Sequence, residues 1–190
     1  MNGSPSVRVA LFNRECGSKS SCRWLYCLGI YKKLENLESI TINLGGIKDF
    51  SHLSKIKNLK FLEIFQVRGL DNLDFLSNLR SLQYLYLQNL SNIQTLPNMR
   101  NMAKLRRLII DNLKGLNSLS SVISIPNLEE FCLYRGNNQS VEAVAVVLNN
   151  EKLKRVVAYF GTQKKNESFK ALVLKTNIEY WTKIDTFNFN

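Results

Sequence analysis

One histidine and four cysteines are the side chains with which this 190-residue chain could hold a metal or attack a substrate. Cys16, Cys22 and Cys27 lie near the N-terminus and Cys132 stands far from them, with no CxxC pair. A zinc site needs paired thiolates two to four residues apart and further ligands, usually histidines. His52, in "DFSHLSKI", has no serine or cysteine context that would make an activated nucleophile. There is no G-x-G-x-x-G and no G-x-x-x-x-G-K-[ST] to cradle a phosphate. The chain is therefore expected to be noncatalytic, without metal or cofactor, its cysteines free thiols of a reducing compartment, the alternative being a disulfide within Cys16, Cys22 and Cys27 of a secreted protein.

Charge is the other available chemistry. The formal net charge is +11, which favours acidic partners or nucleic acid in a general way. Arg100, Lys104, Arg106 and Arg107 form one basic cluster; Lys152, Lys154 and Arg155 form another. No helix-turn-helix, RNP or zinc-finger pattern accompanies them. The N-terminus lacks the apolar centre of a secretory signal, and no apolar run approaches the roughly 18 residues of a membrane span. A cytoplasmic protein is expected.

What positions these residues is a repeat. LxxLxL recurs as "LESITI" from Leu37, "LKFLEI" from Leu59, "LQYLYL" from Leu82, "LRRLII" from Leu105 and "LEEFCL" from Leu128, with a weaker "LKRVVA" from Leu153. Successive intervals are 22, 23, 23, 23 and 25 residues. Positions four and six of each copy alternate as on a strand with one buried face. Between copies the apolar residues fall every third place: Leu70, Leu73, Leu76 and Leu79, then Ile93, Leu96, Met99 and Met102, then Leu116, Leu119, Val122 and Ile125. That period suits an extended or 3₁₀ return, not an α-helix. One such unit cannot bury its own leucines, so neighbours must stack.

On these motifs the chain resembles the leucine-rich repeat family, in its irregular short-repeat form. Position nine, where most members carry asparagine, holds Val67, Leu90 and Leu113, while Asn89 and Asn112 stand one place earlier. The resemblance implies an α/β solenoid: a right-handed curved stack with a parallel sheet on the concave face and mostly coil or 3₁₀ on the convex face. Residues 1–190 are expected to form a single domain, with an N-terminal cap over 1–36, repeats over 37–160 and a C-terminal cap over 161–190. "SVRVALFN" alternates as a further strand, and "SSCRWLYCLGIYKKL" has the apolar spacing of a capping helix. Ser140 is placed to N-cap a helix over "VEAVAVVL". "FKALVLKTN" from Phe169 reads as a short last strand, with "IEYWTKIDTFNF" covering the core edge.

Stacking puts positions three, five and seven on the concave face. Six aromatic rings fall there: Phe61, Phe65, Tyr84, Tyr86, Tyr134 and Tyr159. Exposed aromatics are what protein interfaces favour, although rings also suit strands and stack on one another. The expected site has Phe61, Phe65, Tyr84 and Tyr86 as its hydrophobic centre, extended by Ile109, Tyr134 and Tyr159, with Arg107 and Arg155 steering an acidic partner. Glu129 and Glu130 fall on the strand between the two basic clusters, so Arg107, Glu130 and Arg155 should alternate in sign across three strands. That alternation breaks any continuous phosphate track. A protein partner is thus favoured over nucleic acid, in a role such as immunity, effector or immune recognition; a homodimer, or a fragment of a longer repeat protein, would use the same face.

Overall fold

The computed structural model describes residues 7–12, 37–45, 50–183 and 185–189. Eight parallel strands pair in chain order into one open sheet: β1 (Val7–Phe12), β2 (Leu37–Gly45), β3 (Phe61–Val67), β4 (Tyr84–Gln88), β5 (Arg107–Asp111), β6 (Glu130–Tyr134), β7 (Arg155–Ala158) and β8 (Glu179–Tyr180). The LxxLxL segments form β2 to β7, and "SVRVALFN" supplies β1. The helix expected over "SSCRWLYCLGIYKKL" lies outside the described residues.

Register follows the repeat position for position: Phe61 pairs with Tyr84, Tyr84 with Arg107, Arg107 with Glu130, and Glu130 with Arg155. One carbonyl per strand secures it by accepting two N–H groups from the next strand. Lys60 accepts from Gln83 and Tyr84, Gln83 from Arg106 and Arg107, Arg106 from Glu129 and Glu130, and Glu129 from Lys154 and Arg155.

Positions four and six point into the core, where Leu62, Ile64, Leu85, Leu87, Leu108, Ile110, Phe131 and Leu133 are all buried. The third-residue apolar positions of the returns close that core from the other side, all twelve of them buried in the same cluster. In the repeats of β3 to β6, position eight lies in the left-handed region: Gln66 (φ 53°), Asn89 (φ 53°), Asn112 (φ 55°) and Arg135 (φ 50°). Asparagine tolerates that conformation better than most residues, because its short side chain can bond locally. This explains why Asn89 and Asn112 stand at position eight. Asn112 Nδ2 donates to Asn89 Oδ1 at 2.6 Å, tying two successive turns together.

The returns contain 3₁₀ turns at Ser51–Lys55 and Asp74–Asn78 and a short helix α1 (Ser120–Ile123). Ser140 does cap a helix, its Oγ accepting from the Ala143 N–H; α2 (Val141–Ala145) then tightens into a 3₁₀ turn over Val146–Asn149.

The reading of "FKALVLKTN" as a last strand fails. Phe169 to Val173 are instead the last turn of a helix, α3 (Gln163–Val173), which Thr162 caps by accepting from the Lys165 N–H. Phe169 and Val173, four apart, are its buried face, a helical spacing that the LxxLxL resemblance concealed. The last strand is β8 instead. No helix among the described residues is long and apolar enough to cross a membrane.

Candidate functional site

The face of the sheet opposite the core carries positions three, five and seven; shared register brings eight of the nine sequence-predicted site residues onto it, and the ninth, Tyr159, follows β7 and stacks on Tyr134. Their exposure is not as expected. Tyr84 is only 8% exposed and Arg107 3%, and Ile109 is buried too. Tyr84 and Ile109 belong to a second, smaller cluster on this face with Cys132, Val157 and Trp181, against which Phe61, Tyr86, Tyr134, Tyr180 and Phe187 pack.

What covers them is the chain itself. After β8, Trp181 turns onto the far face, and residues 185–189 run back from β7 towards β3. The expectation that "IEYWTKIDTFNF" covers the core edge is therefore corrected in part: Ile178 and Tyr180 pack on the core, while Trp181 and Phe187 pack on the opposite side. Phe61 and Tyr84 stack with centroids 4.2 Å apart. Phe187 lies 5.4 Å from the Tyr84 ring, and Phe189 lies 5.9 Å from Phe61, edge-on. The two phenylalanines touch each other at 5.0 Å.

The predicted charge ladder is present. Glu130 uses both oxygens, accepting from Arg107 Nε with one and from Arg155 Nη2 with the other. Asp185 bridges the same two guanidiniums from above: Oδ1 lies 3.2 Å from Arg107 Nη2 and Oδ2 lies 3.2 Å from Arg155 Nη1. Its backbone carbonyl accepts from Arg107 Nη1 at 2.9 Å. Both guanidiniums also sit over the Trp181 ring, 4.9 and 4.3 Å from its centroid. Some desolvation works against ionisation of Asp185, but the hydrogen bond from Arg155 and both cationic neighbours outweigh it and hold the carboxyl below its ordinary value.

A second ladder runs alongside. Glu129 takes Arg106 at 3.0 Å and Lys154 at 2.7 Å, and the Lys154 hydrogen bond leads in lowering the pKa of that carboxyl. Four of the seven residues in the two basic clusters thus face carboxylates. Lys104 and Lys152 line a groove with Arg106, Glu129 and Lys154 at the entering ends of the strands.

Position seven is built differently. Asp111, nearly buried, accepts from Arg135 Nε and Nη2 at 2.6 and 2.7 Å, from Gln88 Nε2 at 2.7 Å and from the Tyr86 hydroxyl at 3.1 Å. Burial alone would raise its pKa; these donors more than compensate and lower it. Burial, then the Asp111 charge, pushes the Tyr86 hydroxyl up to about 12. Glu63 accepts from Thr41 Oγ1 at 2.9 Å, yet desolvation dominates and raises its carboxyl. Burial likewise pushes the Cys132 thiol up to about 12, far from the thiolate that nucleophilic work requires. Away from residues 185–189 two pairs of rings keep some exposure: Tyr159, 38% exposed and stacked 5.7 Å from the half-buried Tyr134, and the half-buried Phe65, edge-on to the half-buried Tyr86 at 4.9 Å.

Sequence reasoning missed Trp181, Asp185, Phe187 and Phe189. The signal was there in "DTFNF": an acid and two phenylalanines at spacing two, which an extended chain projects to one side.

Leucine-bearing parallel strands at 22- to 25-residue intervals, returned by coil and short 3₁₀ turns, fit a leucine-rich repeat solenoid. No family model matches the chain, and no curated protein does. Among solved structures it is similar to an internalin from Listeria monocytogenes, at 17% identity and a TM-score of 0.42, over 76% of this chain and 47% of that one. The chain thus spans about half the length of that protein.

Proposed function

We propose that this chain is a noncatalytic recognition module of the cytoplasm, binding a protein partner on the sheet face opposite its core in an immunity, effector or similar role. The observation that supports this reading is the row of rings left accessible there, Phe65 beside Tyr86 and Tyr134 beside Tyr159, next to the Arg107–Glu130–Arg155 ladder. Aromatic side chains with few rotatable bonds surrounded by fixed charges are what binding hot spots are made of. The polyanion alternative is weakened by the ion pairs: Arg106, Arg107, Arg135, Lys154 and Arg155 each face a carboxylate.

The test is capture from lysate of the native host by the unaltered chain and by Phe65→Ala/Tyr159→Ala. Neither substitution enters the core, so both proteins should fold. The double variant should lose about 2 kcal/mol of binding to any partner of this face, the hot-spot scale. A partner retained equally by the folded variant would overturn the reading.

A further inference from the structure

We propose that residues 185–189 are an internal ligand, and that the partner carries a segment of the same chemistry, an acidic residue followed by aromatic residues at the second and fourth positions, which displaces them. This deepens the reading above and rests on it. Three observations carry it.

Charge comes first. Arg107 is buried and Arg155 is half-buried, yet Glu130 supplies them with only one negative charge. Without Asp185 the cluster holds an excess positive charge beneath Trp181, which is costly in a poorly solvated place. Whatever lies there must bring a carboxylate. Spacing comes second. Asp185, Phe187 and Phe189 all meet the sheet, on the arginine pair, on Tyr84 and on Phe61, while Thr186 and Asn188 face solvent. That is the alternation of an extended peptide lying on a surface.

The third observation is how lightly the segment is held. Its polar attachments run from arginine side chains to the Asp185 carboxylate and to the carbonyls of Asp185 and Asn188. The Asp185 side chain remains 59% exposed and Phe189 40%. Trp181, by contrast, donates its backbone N–H to Val156 and is buried, so the segment can leave while its anchor stays. A peptide in trans competes against a tethered copy whose effective concentration is millimolar in order of magnitude.

The experiment uses a fluorescent peptide with the sequence of residues 182–189 and the 190-residue chain. Asp185→Ala/Phe187→Ala/Phe189→Ala, which empties the face, should bind the peptide at least about tenfold more tightly than the unaltered chain does. Asp185→Asn alone, which leaves both rings in place, should raise peptide affinity severalfold and keeps the test if the triple variant does not fold. A peptide with asparagine in place of its aspartate should bind neither variant. Equal peptide binding by all three proteins, or none by a folded variant, would overturn the proposal. So would a dimer in light scattering that the triple variant loses, because the segment would then belong to a second copy. Phe65 and Tyr159 lie outside the covered patch, so loss of the function reading and loss of this one are separately visible.

Discussion

Glu130 holds two guanidiniums at once, each from a neighbouring strand, and it does so almost out of solvent. Removing its charge leaves Arg107 with Asp185 alone. Glu130→Gln should therefore destabilise the fold by about 3 kcal/mol, the scale for an orphaned buried charge, measured by urea unfolding. A loss below about 1 kcal/mol would mean that Asp185 and Trp181 suffice for both arginines. This ladder was legible in the sequence because intervals of 23 and 25 residues fix which side chains stand abreast. Asp185 was not legible as its third partner. It lies outside any repeat, and a segment without periodicity carries no register from which its neighbour can be read. The same limit hid the burial of Tyr84: alternation says which face a ring is on, not what lies over it.

At the scale of one repeat, the turn at position eight decides how the chain leaves the sheet. Asn112 combines a left-handed φ with a side-chain bond to Asn89. Asn112→Gly keeps the conformation and loses only the bond, so it should cost less than about 1 kcal/mol. Asn112→Ile adds a β-branched side chain at positive φ and should cost about 2 kcal/mol or more. Thermal unfolding of the two variants side by side checks this; equal losses would assign the effect to the hydrogen bond and not to the backbone. The strands and three-residue returns were readable because their periods are distinct. Helix α3 was misread because "FKALVL" satisfies two templates, and what decides between them, burial of Phe169 with Val173 and the Thr162 cap, lies in the tertiary packing and in residues upstream.

For the molecule as a whole, Asp111 and Glu129 have folded-state pKa values below their ordinary ones. The unfolded chain therefore binds their protons more readily. The stability they contribute is present above the unfolded carboxylate range and is lost as pH falls through the folded values. Glu63 has the opposite sign: burial raises it, so its contribution is fully present in acid and declines as pH rises. Depressed carboxylates, Asp185 among them, outnumber the one raised at Glu63, and with 26 lysines and arginines left unopposed in acid they predict a Tm that is flat from about pH 6 to 8 and falls below about pH 4. Calorimetry across that range tests it, and a Tm unchanged at pH 3 would refute it. A sheet whose strands pair only with their sequence neighbours is a zipper, free to fray from either end. Trp181 and residues 185–189 double back over it and fasten the tooth at Arg155 to the tooth at Phe61, which makes them its clasp. Any partner that unfastens this clasp must grip both teeth itself, or leave the zipper looser than it found it.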